Sequence, residues 1–120
     1  MPNKRTLLDI LGTDHLVYRG WKWPLKLTPL ELEKGRFATI CFIQREITIY
    51  DTAALDAQVD WLFHELQHMI TQGAVANADA DGQGVRWEDI ADTGAGWFEL
   101  FRDNPCLLKL VEHYRPKKKK

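Results

Sequence analysis

The stretch WLFHELQHMI, residues 61–70, sets two histidines four positions apart, with a glutamate directly after the first. At 3.6 residues per turn, His64 and His68 lie about 40° apart on a helical wheel, one turn above the other. Leu55, Val59, Leu62 and Leu66, then Met69 and Ile70, keep the three-and-four spacing of a helix. The stripe from Leu55 to Leu66 falls roughly 180° from the histidines. Such a segment is expected to bury its apolar face in a core and to present both imidazoles on the opposite face. Asp51 or Thr52 can cap its start, and Gly73 is expected to end it.

The remaining pattern places this helix inside an α+β domain. Residues 4–11 suit a short helix or lead-in, and HLVYRGWKW (15–23) has the aromatic and β-branched character of an extended segment. LTPLELEKG (27–35) carries a turn or short-helix signal, with Thr28 before Pro29, Glu31 three residues on and Gly35 at its close. RFATICFI (36–43) and EITIYD (46–51) read as two strands joined tightly through Gln44 and Arg45. NADADGQG (77–84) is a loop by composition, and a second helix is expected from about Arg86 to Arg102. Asp103-Asn104-Pro105 breaks the chain, because the residue before a proline resists the helical region, and 106–114 suits a last short helix. Strands come first and helices second, the order of an α+β fold: a small twisted antiparallel or mixed sheet packed on the histidine helix and a second, glutamate-bearing one.

At 120 residues and 45% hydrophobic, the chain fits one compact domain, expected over 1–116, with a basic tail at 117–120. The formal net charge of -1 supplies no general attraction to nucleic acid, and the lysine tail suits a solvated terminus. The apolar run near the N-terminus is broken by Asp9, Gly12 and Asp14, unlike a signal peptide, and no uninterrupted apolar stretch reaches membrane-spanning length. A cytoplasmic location with no membrane partner is the expectation. Cys41 and Cys106 sit among apolar neighbours and are expected to be buried free thiols.

Two imidazoles one helical turn apart can offer nitrogen lone pairs to one Zn²⁺, which binds at about 2.0–2.1 Å. Glu65, about 100° round the wheel from His64, cannot easily join them on the ion but can reach a water there as a base. A catalytic zinc needs a third protein ligand. Glu88 and Asp92 are again four apart, on the face of the second helix opposite Ile90, Trp97 and Phe101. The nineteen residues between His68 and Glu88 allow a helix to end, turn and return. Asp92 can then accept an N–H from the far nitrogen of a ligand histidine and fix its tautomer.

His-Glu-x-x-His followed by Glu-x-x-x-Asp on the next helix resembles the gluzincin class of zinc peptidases. The segment GRFATICFIQREITIYD also resembles small gluzincin-like proteins, the minigluzincins and the ImmA/IrrE type found in phages and mobile elements, and FELFRDNP is similar to phage-borne members. The resemblance covers about residues 36–105. It implies a zincin-like fold and zinc held by His64, His68 and Glu88. It also implies Glu65 as the base that activates water, Asp92 as the orienting carboxylate, and a protein or peptide substrate, a regulatory protein in the ImmA/IrrE type. Residues 1–35 match no part of that pattern. Full-size members add a subdomain beyond the glutamate helix, often with a Tyr or His that steadies the oxyanion; His113 and Tyr114 do not align with it.

Two other readings use the same residues. A zinc-holding domain without turnover, working as a protein-interaction module, needs the histidines but not Glu65 as a base. A calcium loop nearly fits 77–88, with Asn77, Asp79 and Asp81 at its first, third and fifth places, Gly82 at the sixth and Glu88 at the twelfth. Against it, Asn stands first where Asp is usual and Gly84 takes the apolar eighth place. His15 and His113 read as ordinary histidines. Tyr18 and Tyr50 could donate to an oxyanion, but aromatic packing explains them as well. No serine elbow, phosphate-binding glycine loop or dinucleotide fingerprint occurs.

Overall fold

The computed structural model describes residues 6–32, 34–80 and 87–116, with the backbone alone for 73–80 and 87–92. The order is α1 (Leu7–Leu11), β1 (His15–Tyr18), β2 (Trp21–Thr28), β3 (Ala38–Cys41), β4 (Glu46–Tyr50), α2 (Leu55–Ala80), α3 (Trp87–Asp103) and α4 (Leu107–Tyr114). The fold is α+β, with four strands in the order β1-β2-β4-β3. The outer pairs are antiparallel hairpins, and the central pair, β2 on β4, is parallel, with Leu25 opposite Ile47 and Leu27 opposite Ile49. The sheet is therefore mixed.

Local chemistry explains the ends of the elements. Thr6 caps α1 by accepting from the Asp9 N–H while the Asp9 carboxylate accepts from the Thr6 N–H, a reciprocal cap. Gly12 closes α1 in the left-handed region at φ 74°. The extended segment expected at 15–23 is two strands. Arg19 (φ 51°) and Gly20 (φ 81°) turn the chain in a two-residue loop, and two positive φ values in succession match the twist of the flanking strands.

Several boundaries differ from the sequence expectation. β2 continues to Thr28, so residues 27–28 are strand rather than helix, and the Thr28 hydroxyl accepts from the Leu30 N–H in the turn that follows. The β3–β4 connection takes four residues, Phe42–Arg45, not two, because Arg45 alone adopts a positive φ (52°) there and a two-residue primed turn needs more. α2 runs through Gly73 to Ala80. A helical glycine costs only about 1 kcal/mol against alanine, and Ala74, Ala76, Ala78 and Ala80 favour continuation. Cys41 is exposed and Cys106 half-buried, both as free thiols, because Cys41 ends β3 on the wet side of the strand alternation.

One face of the sheet carries Leu16, Tyr18, Trp23, Leu25, Ala38, Ile47 and Ile49 into the core. Leu62, Leu66, Met69 and Ile70 of α2 meet them, and Leu7, Leu11, Leu100, Leu107 and Leu110 complete the cluster from the other helices. The opposite face is wet and carries a Lys26–Glu46 ion pair at 3.2 Å. Asn104, 4% exposed, ties the C-terminal end of α3 to β1. Its Oδ1 accepts from the Val17 N–H at 2.6 Å, and its Nδ2 donates to the Val17 and Leu100 carbonyls at 2.5 and 2.8 Å.

α2 and α3 cross closely at Gly96. A methyl group added there would stand 2.5 Å from Ile70 Cγ2 and 2.9 Å from the Tyr18 hydroxyl oxygen. Gly94, two positions before that contact, has nothing within 4 Å of such a methyl among the described residues. Gly96→Ala is therefore expected to lower stability by about 1–3 kcal/mol through overpacking. Gly94→Ala should raise it by about 0.5–1 kcal/mol through helix propensity alone. Urea titration of both variants measures the pair; equal shifts would refute the close crossing.

Candidate metal centre

α2 reaches the sheet through Leu62, Leu66 and Ile70, all fully buried. The wheel then decides what else this helix presents. His64 and His68 emerge on the exposed side, and Glu65 falls between them and the buried stripe, 4% exposed. The three line a cleft of about 220 Å³ whose other wall comes from Arg36 and from Thr39, Ile40 and Phe42 at β3 and its turn. Trp61 packs against the His64 ring at 4.9 Å between centroids and limits its rotation.

The Nε2 atoms of His64 and His68 stand 3.2 Å apart, with the rings steeply inclined to each other. That separation suits a hydrogen bond between one protonated and one bare nitrogen. It also suits two lone pairs on one ion, since tetrahedral bonds of 2.0–2.1 Å put the two nitrogens about 3.3 Å apart. The nitrogen–nitrogen distance alone matches the spacing of two ligands on one ion. Burial pushes the Glu65 carboxyl above the usual carboxylate range, while His68, His64 and Arg36 act in the opposite direction. A carboxylate so placed holds a proton more readily than one in water and can pass it on.

Glu88 and Asp92 fall on the first two turns of α3, and their side chains lie outside the described residues. α3 returns antiparallel along α2: Gly96 meets Ile70, and the Trp97 indole N–H donates to the Gln67 side-chain oxygen at 2.8 Å. Glu88 is eight residues before Gly96, about 12 Å along the helix axis, and in the antiparallel pairing that displacement carries its backbone beyond Ile70, away from His64 and His68. Among the described residues, no group of three His, Cys, Asp or Glu side chains gathers around a common point. For the calcium-loop reading, Asn77 and Asp79 sit on helical backbone at the end of α2, and Asp81 and Gly82 lie outside the described residues. The lysine tail 117–120 lies outside them as well.

Sequence reasoning missed the wall opposite the histidines. Arg36 and Thr39 carry no motif and reach the site only because β3 forms the sheet edge beside α2. Trp61 and Gln67 could have been found, since each is three residues from His64 on the helix. Tyr18 is buried in the core with its hydroxyl against the Gly96 backbone, and Tyr50 stacks on Phe37 at 6.1 Å. Neither faces the cleft.

The buried Glu65 gives a signed expectation for metal-free protein. Its folded pKa lies above the unfolded value, so ionisation costs the fold free energy. The cost is absent below the unfolded value, about 4.3, and complete once pH exceeds the raised folded value. Glu65→Gln should melt a few degrees higher than the parent at pH 7.5 in chelator, with the gap closing as pH falls toward about 4. A constant gap across that range would refute the assignment. In comparisons with known proteins, no family model, curated protein or solved structure matches the chain.

Proposed function

We propose that this chain is a zinc-dependent metallopeptidase-like protein of the gluzincin type, hydrolysing peptide bonds in a protein or peptide substrate. A regulatory protein is the substrate the ImmA/IrrE resemblance suggests. The observation that carries the reading is the 3.2 Å separation of the His64 and His68 Nε2 atoms over a cleft that also buries Glu65. His64 and His68 would hold the ion through Nε2. Glu88 as third ligand and Asp92 as orienting carboxylate rest on the resemblance of the Glu-x-x-x-Asp spacing alone, and Glu88 would reach the ion only if the first turns of α3 moved toward the histidines.

Zinc, when bound, supplies a Lewis acid that lowers the pKa of water to about 7 and polarises a carbonyl. Glu65 takes the proton of the attacking water and delivers it to the leaving amine. Its partly apolar surroundings, with Leu62, Leu66 and Ile40 nearby, make proton uptake easier than in bulk solvent. An extended peptide can run beside β3, an edge strand whose residues Thr39 and Ile40 line the cleft, and gain grip by backbone pairing.

Protein purified without added metal is expected to carry one zinc per chain by elemental analysis, with the zinc lost in His64→Ala and Glu88→Ala. Glu65→Gln should keep the zinc and cleave an unfolded protein such as casein about 10²-fold more slowly or worse. Zinc retained by Glu88→Ala removes that residue from the ligand set. Zinc without cleavage in the parent protein identifies an interaction module instead. Absence of zinc from the parent protein overturns the reading.

A further inference from the structure

The parallel pairing of β2 with β4 puts the Arg19–Gly20 turn and the Phe42–Arg45 turn at one end of the sheet. Each turn holds an arginine in the left-handed region, Arg19 at φ 51° and Arg45 at φ 52°. For a residue with a Cβ that conformation costs about 1–2 kcal/mol, so the surrounding structure holds both in place. Between the turns lies a second cleft of about 310 Å³, floored by Met69 and Gln72 of α2 and walled by Trp21, Trp23 and Phe42. Phe42 also lines the histidine cleft, and Glu65, Met69 and Gln72 succeed one another on one face of α2. The two clefts thus lie side by side along the helix, with Phe42 between them. Their centres are separated by about 7 Å of helix rise, the span of roughly two residues of extended peptide.

The two arginines are not equivalent. Arg19 is paired with Glu99 at 3.2 Å. The Arg45 guanidinium carbon stands over the Trp21 ring, 3.6 Å from its centroid, and among the described residues it has no carboxylate partner. A guanidinium held over an indole face keeps its N–H donors for a partner in the ring's surroundings. Trp21 is 55% exposed, a large apolar surface for one side chain at the rim of a cleft.

We infer that this neighbouring cleft is a recognition subsite for a peptide carrying an aromatic or long aliphatic residue with an acidic residue beside it, about two positions from the histidine pair. The apolar side chain enters between Trp21, Trp23 and Phe42, and its acidic neighbour pairs with Arg45. This names the substrate class for the peptidase reading and rests on that reading for its role in cleavage, though binding is independent of it. Arg45 is a specificity-determining residue, not a catalytic one.

The test is a titration of isotope-labelled, chelator-treated protein with blocked tetrapeptides, followed by NMR of the tryptophan indole and arginine side-chain N–H signals. Gly-Phe-Asp-Gly should move Trp21 and Arg45. Gly-Phe-Lys-Gly and Gly-Ala-Asp-Gly should bind about tenfold more weakly, a difference of about 1.4 kcal/mol. Arg45→Glu should reverse the order of the Asp and Lys peptides. Equal binding of all three peptides overturns the subsite, as does an unaltered order in Arg45→Glu. Signals that move with protein concentration alone assign the patch to a second copy of the chain and overturn it too. Failure of the zinc or cleavage experiments leaves this titration as it stands, so the two readings fall separately.

Discussion

The seating of α2 against β3 and β4 governs the arrangement of every other functional group. Leu62, Leu66 and Ile70 reach zero exposure on that contact, and their position fixes the rotation of the helix about its axis. A helix has no freedom to choose the direction of its remaining side chains once such a stripe is buried. His64 and His68 therefore emerge beside the sheet edge, and Glu65 is carried to the boundary between core and cleft. A rotation of one residue, about 100°, would bury an imidazole or expose the carboxylate. The chemistry proposed for the cleft is in this sense a by-product of where the leucines go.

The same seating explains why Gly96 tolerates no larger side chain. α3 can approach α2 closely only where one of the two helices lacks a Cβ, and Ile70 supplies the bulk on the other side. The close crossing brings Trp97 onto Phe63, with ring centroids 5.8 Å apart, and lets its indole N–H find Gln67. Those contacts brace the helix from its outer flank while the sheet supports it from the inner one. Two braced sides leave the histidine face as the open one.

How much of this could be read in advance depended on how local each determinant is. The helical period through 55–70, the capacity of 46–51 for strand, and the break at Asp103–Pro105 are written in adjacent residues, and each appears near its expected place. The pair His64 and His68 was legible because helical geometry alone brings them together. Arg36 and Thr39 were not, because their approach depends on strand order, and nothing in the segment 21–50 announces that β4 will insert between β2 and β3. The parallel match of Leu25 with Ile47 links residues 22 positions apart and has no local signature. Gly73 misled for a different reason: a glycine ends a helix only when the following residues accept a reversal, and the alanines after it do not ask for one. The first 35 residues, which match no named pattern, supply half of the strands and the reciprocal cap of α1.

Asn104 carries a consequence for association. By offering one acceptor and one donor to the backbone of Val17, its amide imitates the rung that a neighbouring strand would have provided. The outer margin of β1 is thereby occupied by the chain's own side chain, and a foreign strand arriving there would first have to displace it. The far margin, at β3, has no such guard among the described residues. The sheet is polarised in its sociability: sealed on one border, receptive on the other, with the receptive border running past the paired imidazoles.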